Sequence, residues 1–232
     1  MNKETLLQEL KNIGLNPSSN QVDILESFMN ETLDANKSFN LTAIKEVEKF
    51  RELMILDSAY PLKYFNFDGK KIIDVGTGAG YPGMVLAALS NGEFTLLDST
   101  AKKVKFTSNF TTNNQILNVN CVCARAEEYA KTHREEYDFA VARAVSDLSI
   151  LIEMIIPLLK VNGYFIALKG SKGFEEVENA KKALEKLGAV VEQIDEYQLP
   201  ESKEKRINVI IKKVKKTNTK YPREYKDIVK GI

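Results

Sequence analysis

Residues 72–83 read Ile-Ile-Asp-Val-Gly-Thr-Gly-Ala-Gly-Tyr-Pro-Gly, a β-rich run that leads into glycines at positions 76, 78 and 80. Glycines two apart let a backbone turn sharply and approach a ligand with no Cβ in the way. Two kinds of ligand suit such a loop. Counted from Gly78, the stretch Gly-Ala-Gly-Tyr-Pro-Gly also satisfies the dinucleotide fingerprint G-x-G-x-x-G. Asp74 separates the two readings. Its carboxylate stands two residues ahead of Gly76 and would repel a doubly anionic pyrophosphate. The ammonium and sulfonium of S-adenosylmethionine are favoured by the same charge, while that molecule's own carboxylate can use free N–H groups at the start of the following helix. The loop therefore points to S-adenosylmethionine, with Asp74, Gly76 and Gly78 expected against it.

Asp98 closes the next β-rich run, Phe-Thr-Leu-Leu-Asp, 18 residues after Gly80. An acid there accepts hydrogen bonds from both ribose hydroxyls of an adenosine. It equally suits the cap of a helix beginning near Thr100, and both roles are compatible. Asp98 thus argues for an adenosine-bearing ligand without choosing between a methyl donor and NAD.

Elements of a particular order must hold these residues. The first 65 residues carry no strand signal. Leu6, Leu7, Leu10 and Ile13 form one helical stripe, and Val22, Leu25, Phe28, Met29 and Leu33 a second, with Ser18 or Ser19 as caps. A third helical stretch runs from about Lys45 to Tyr64. From residue 70 onward β-rich runs alternate with amphipathic ones: strands at 70–75, 93–97, 119–123, 137–142 and 164–169, helices from Pro82 and over 100–115, 147–160 and 174–187. Two strands, 189–198 and 206–213, then follow without a helix between them. The expected fold is α/β: a Rossmann-like, mainly parallel seven-stranded sheet with an antiparallel C-terminal strand, plus a helical N-terminal extension. The expected divisions are 1–65 helical extension, 66–214 cofactor-binding domain and 215–232 basic tail.

Composition sets the remaining bounds. With 232 residues, 44% hydrophobic and 28% charged, the chain can bury one substantial core. Its apolar runs fall well short of the roughly 18–20 residues that span a bilayer, and acidic residues near the start argue against a signal peptide. Two cysteines, Cys121 and Cys123, are expected to be reduced packing residues in a cytoplasmic protein. A monomer without metal or membrane contact is expected. His133, the only histidine, lies in a charged stretch and is expected to be solvated. Net charge is +1, but from Lys203 onward eleven Lys/Arg face three acids, so the body before it is acidic and the end basic. Such a segment can seek phosphate or simply keep the chain soluble.

Several segments together resemble one family. Asp74–Gly83, Leu97-Asp98-Ser99 with Lys102-Lys103 and Phe106, Ala124-Arg125-Ala126-Glu127, Ala142-Arg143-Ala144 and Phe39-Asn40-Leu41-Thr42-Ala43-Ile44 are similar to the bacterial ribosomal RNA small subunit methyltransferase G family, over about residues 35–213. The resemblance implies a class I methyltransferase fold and methyl transfer to N7 of a guanine in the 530 loop of 16S rRNA, within the small ribosomal subunit. It further implies cofactor contacts at Gly76 and Tyr81, adenine-pocket contacts at Ala126 and Glu127, and a site role for Arg143, which is expected both to contact the cofactor and to position the acceptor. Two stretches depart from the family's pattern: 53–59, which lacks a histidine, and the tail after Lys220-Tyr221-Pro222-Arg223.

The residues at the end of the fourth strand bear on the acceptor. Amino-group methylation commonly uses an Asn/Asp-Pro-Pro-aromatic motif there, whereas this chain has Ala-Arg-Ala-Val. Carbon methylation of cytosine needs a cysteine nucleophile, and both cysteines fall inside a strand. Guanine N7 has an in-plane lone pair and no proton to remove, so no general base is required. Direct displacement is then expected, with Arg143 positioning the guanine edge or a phosphate. Lys169 and Arg206 are candidates for RNA phosphate contact or ordinary surface charge. An NAD-dependent oxidoreductase would need a Tyr-x-x-x-Lys or a placed histidine in the second half, and neither occurs. A methyltransferase-like RNA-binding module without catalysis is the third alternative.

Overall fold

A computed structural model describes residues 1–231; Ile232, the end of the basic segment, lies outside them. The helices are α1 (Lys3–Asn12), α2 (Ser19–Ala35), α3 (Val47–Phe50), α4 (Asp57–Ala59), α5 (Gly83–Leu89), α6 (Ala101–Asn113), α7 (Ala126–Thr132), α8 (Leu148–Ile155), α9 (Gly173–Leu187) and α10 (Tyr225–Ile228). The strands are β1 (Lys71–Val75), β2 (Glu93–Asp98), β3 (Val119–Cys123), β4 (Tyr137–Arg143), β5 (Leu159–Lys169), β6 (Ala189–Gln198) and β7 (Lys205–Lys213). They form one sheet in the order β3-β2-β1-β4-β5-β7-β6. Pairings from β3 through β5 are parallel, while β7 lies antiparallel between β5 and β6. The expected α/β sheet with its antiparallel C-terminal strand is present.

Strand alternation explains the two cores. Ile72, Phe94, Leu96, Val141, Ile166 and Leu168 face one side, against Leu6, Leu10, Phe28, Met29 and Phe50 from the N-terminal helices. Ile73, Val75, Ala140, Ala142, Phe165 and Ala167 face the other, against α8 and α9. Successive side chains on a strand point to opposite faces, so adjacent apolar residues such as Ile72 and Ile73 require cover on both. The N-terminal helices supply part of that cover and share a core with the sheet.

Local chemistry sets most element ends. Ser18 caps α2 through a capping box: its hydroxyl accepts the Gln21 N–H, and the Gln21 side chain accepts the Ser18 N–H. Gly188 ends α9 at φ +84°. The expected helix 147–160 is shorter than its apolar pattern. Pro157, without an N–H, sits in a 3-10 turn at 156–158, and β5 begins directly after it at Leu159.

Between residues 47 and 63 the chain stays helical while its hydrogen-bond period changes, through a π-helical segment Arg51–Leu56 and a final 3-10 turn. The expected basic tail is docked rather than free. Tyr221 and Ile228 are buried in the second core, and Arg134 donates to the Thr217 and Tyr221 carbonyls. Buried Glu153 accepts the Arg223 backbone N–H, its Nε–H and its Nη2–H at 2.9, 2.8 and 2.7 Å. Among the described residues no helix is long and apolar enough to cross a membrane.

Candidate active site

A cleft of about 480 Å³ opens beyond the carboxyl ends of β1, β2 and β4. Gly76, Gly78 and Gly80 have φ of +73°, +61° and +100°, all left-handed. A Cβ at Gly80 would lie 2.8 Å from Phe28 Cζ, and one at Gly76 2.5 Å from a Val145 methyl, so both positions admit close packing against neighbouring elements. At Gly78 a Cβ would meet nothing within 4 Å. Gly78 is therefore the glycine that presents bare backbone to the cleft.

Asp98 ends β2 on the cleft lining. Its Oδ2 accepts the Gly78 N–H at 2.9 Å and its Oδ1 the Thr100 N–H at 2.8 Å. The carboxylate ties the glycine loop to the start of α6 and retains lone pairs for further donors. Both roles expected of it are compatible with this geometry.

Asp74 departs from expectation. It is fully buried and not on the cleft lining. Its Oδ2 accepts the Thr77 hydroxyl at 2.7 Å and the Gly83 N–H at 2.8 Å, bracing the loop against the start of α5. Its Oδ1 has no partner. Burial pushes its carboxyl up to about 6, although the Thr77 and Gly83 donors and the Arg143 charge hold it down. The reason is alternation: Asp74 shares the Ile72 face, which points into the first core rather than along the strand axis toward the cleft.

The cleft's other walls include Tyr81, Ala126 and Glu127. The Tyr81 ring stacks on Phe28 at 4.9 Å and meets Phe50 edge-on at 5.4 Å, and its hydroxyl lies 3.2 Å from the Thr32 hydroxyl. The N-terminal helices therefore hold this residue. Glu127 is buried at the start of α7, and its Oε1 accepts the Arg125 Nε–H at 2.9 Å.

Arg143 ends β4 on the same face as Val141, toward the N-terminal helices. Its Nη1–H donates to the Leu53 carbonyl at 3.0 Å and reaches Asp57 Oδ2 at 3.4 Å, while Nη2 lies 3.2 Å from Met54 Sδ. The π-helical turn makes this possible. Asp57 N–H bonds back to Glu52 O instead of Leu53 O, leaving the Leu53 carbonyl to the arginine. Arg206, one residue before the second-core residue Ile207, projects to the same side and shares Asp57 Oδ2 at 3.4 Å. Lys169 follows Leu168 and so faces the opposite side.

A second cavity of about 470 Å³ adjoins the cleft and is lined by Arg143, Lys169 and Arg206. The structure thus gathers all three cations, but none is a free surface charge. Lys169 is buried, donating at 2.7 Å to the Ser146 carbonyl and pairing with Glu176 at 2.7 Å. Arg206 is flanked by Asp57 and by Glu204 at 2.8 Å. Each of the three cations has an acidic partner inside the fold.

Sequence reasoning missed Asp57, which is buried and also accepts the Tyr197 hydroxyl at 2.8 Å. A lone acid in the apolar run Leu53–Ala59 was the available signal. Leu41 and Lys103, which carried the family resemblance without a role, also line the cleft, as does Tyr225, which no sequence signal marked. His133 is half-buried rather than solvated, stacked on Tyr129 at 3.8 Å and absent from the cleft. Cys121 packs partly buried against the first core, but Cys123 is exposed because β3 is the sheet's edge. Among the described residues no cluster of His, Cys, Asp and Glu is arranged to hold a metal ion.

Comparison with known proteins agrees with this geometry. A family model described as rRNA small subunit methyltransferase G matches residues 21–207. The ribosomal RNA small subunit methyltransferase G of Fusobacterium nucleatum is 39% identical over 223 residues, covering 96% of each chain. That of Caldicellulosiruptor bescii is 42% identical over 214 residues, covering 89% of this chain and 90% of the relative. Among solved structures, a SAM-dependent methyltransferase from Aquifex aeolicus superposes with a TM-score of 0.57 at 18% identity, over 78% of this chain and 98% of that one. M. jannaschii TYW2, solved with AdoMet, gives 0.56 at 14% identity over 69% and 76%. These two likenesses show the shared fold.

Proposed function

Since the chain belongs to the rRNA small subunit methyltransferase G family, we propose that it transfers a methyl group from S-adenosylmethionine to N7 of a guanine in small-subunit ribosomal RNA, within the 530 loop of 16S rRNA. One observation carries the reading. The cofactor-sized cleft and the second cavity share Met54, Arg143, Ala144, Val145 and Ser146, so a donor in one abuts an acceptor in the other.

The residues present fit S-adenosylmethionine. Gly78 leaves open space where any side chain would intrude, Asp98 and Glu127 offer carboxylate acceptors on the lining, and buried Asp74 Oδ1 has no partner. Gly76, Gly78, Tyr81, Asp98, Ala126 and Glu127 would hold the cofactor, with Asp74 bracing the loop and adding negative charge behind it. When bound, S-adenosylmethionine supplies an electrophilic methyl group on a sulfonium.

The protein's own part is positioning. Guanine N7 carries no proton, so no side chain need act as a base. Arg143 Nε has no partner among the hydrogen bonds of the described residues, which leaves a fixed cation with a donor free at the junction of the two cavities. It would hold the guanine O6 edge or a phosphate. Lys169 acts on the loop Ala144–Asp147 through Ser146, keeping the shared wall in place. Arg206 reaches a phosphate by exchanging its Glu204 partner, which is 49% exposed.

Mass mapping of 7-methylguanosine in 16S rRNA from cells with and without the gene tests the substrate. No difference between them would overturn the assignment. Arg143→Ala is expected to abolish methylation of small subunits while cofactor affinity stays near normal. Full methylation by that variant would remove Arg143 from the mechanism.

A further inference from the structure

The docked C-terminal segment brings a residue of α10 to the cofactor cleft. Tyr225 lines the cleft at its β3 end, beside Ala124, Arg125, Ala126 and Glu127. The Arg125 guanidinium carbon lies 4.5 Å from the Tyr225 ring centroid, and the same guanidinium donates to Glu127 at 2.9 Å. A carboxylate, a guanidinium and a phenol ring therefore form one connected unit along this edge.

The ring is held in place although it is far along the chain from the glycine loop. Glu224 pairs with Lys131 of α7 at 2.6 Å, Arg223 is clamped by Glu153, and Ile228 is 1% exposed. These anchors flank Tyr225 on both sides and order the segment before any ligand arrives, which lowers the entropic cost of binding. Yet Tyr225 itself remains 41% exposed, a large aromatic side chain with uncovered surface at the mouth of the cleft. An aromatic face beside an arginine plane is the surface on which a nucleobase stacks.

We propose that Tyr225 is a cofactor-binding residue, forming with Arg125 the wall against which the adenine ring of S-adenosylmethionine packs. This rests on the methyl-donor reading above and adds a recognition element from the C-terminal segment. Glu127 would take the exocyclic amino group at the ring's edge, while Tyr225 and Arg125 cover its face. Truncation of the chain before residue 221 would then impair cofactor binding through loss of this wall.

The chain contains no tryptophan, so Tyr225→Trp creates a single indole reporter at the site. Saturation with S-adenosylhomocysteine is expected to change its emission, whereas methionine alone at the same concentration leaves it unchanged. By calorimetry, Tyr225→Leu is expected to bind S-adenosylhomocysteine about tenfold more weakly and Tyr225→Phe within about twofold of the unsubstituted protein. Tyr225→Leu binding as tightly as the unsubstituted protein, or a silent indole at saturation, would overturn the proposal. Loss of RNA binding by Tyr225→Leu at unchanged cofactor affinity would overturn it too, in favour of an RNA contact. Failure of the unsubstituted protein to bind S-adenosylhomocysteine or S-adenosylmethionine would instead defeat the methyl-donor reading itself, and this inference with it.

Discussion

Replacing Asp57 by alanine removes the one acid that joins three elements. Its carboxylate contacts Arg143 from β4 and Arg206 from β7 at 3.4 Å each, and accepts the Tyr197 hydroxyl from β6 at 2.8 Å. The Asp57 side chain is 4% exposed, those of Arg143 and Arg206 12% and 19%. Removing one partner of a buried ion pair costs about 3–5 kcal/mol, mostly because the remaining charge is left without compensation. Here both ionic contacts are long, Arg143 retains the Leu53 carbonyl, and Arg206 retains Glu204. The lower end, about 3 kcal/mol, is therefore expected. For a chain of this size each kcal/mol moves the melting temperature by about 2–4 °C, so a fall of about 6–12 °C should appear in a thermal melt followed by circular dichroism. Because the contacts are buried, the deficit should persist at roughly 0.5 M salt, where exposed pairs are screened. A loss under about 1 kcal/mol, or one that disappears with salt, would refute the view that Asp57 ties the N-terminal helices to the site.

Four further substitutions probe separate parts of the fold and the site. Gly78→Ala places a methyl group in the open cleft at φ +61°, and should weaken S-adenosylhomocysteine binding at a stability cost of about 1–2 kcal/mol; Gly80→Ala, whose Cβ meets Phe28 at 2.8 Å, should cost stability by about 2–4 kcal/mol, read by urea denaturation. Asp74 has a folded-state carboxyl raised to about 6, above its unfolded value, so the folded state binds the proton more tightly between those pH values. Its charge therefore opposes folding at pH 7, and that penalty is relieved as pH falls through about 6 toward 4; the melting temperature of the unsubstituted protein should rise relative to Asp74→Asn over this window, and a constant difference would contradict the raised value. Glu153→Gln weakens the clamp on Arg223 and should speed hydrogen exchange in residues 217–231 while the sheet stays protected, with unchanged exchange there counting against the clamp.

How far the residues alone could be read depended on the range of the interaction involved. The glycine loop was legible because its conformation is local: left-handed φ at Gly76, Gly78 and Gly80 follows from residue type and spacing. The Ser18 cap, the end of α9 at Gly188 and the alternation of strands and helices were legible for the same reason. Pro157 was a local signal as well, but the apolar run around it fits a helix or a buried strand, and only pairing of Leu159 with Tyr137 chose the strand.

The charged residues were where spacing ran out. Arg143 and Lys169 end β4 and β5 and Arg206 lies at the start of antiparallel β7, all at the carboxyl end of the parallel strands, which the order of elements implied. Whether each cation is free or paired depends on acids remote in sequence: Asp57 lies 86 residues from Arg143 and 149 from Arg206. The tail followed the same logic: its basic composition suited phosphate contact or solubility alike, and only buried Glu153, 70 residues earlier, gave Arg223 a partner. By itself the sequence determined the sheet, the glycine loop and the acid at the end of β2, because these rest on backbone preferences and on period-two and period-3.6 patterning. The tertiary structure alone decided that Asp74 braces the loop from behind, that Arg143 is held by a π-helical turn, and that Tyr225 reaches the cleft, because burial and ion pairing are set by which distant segments meet.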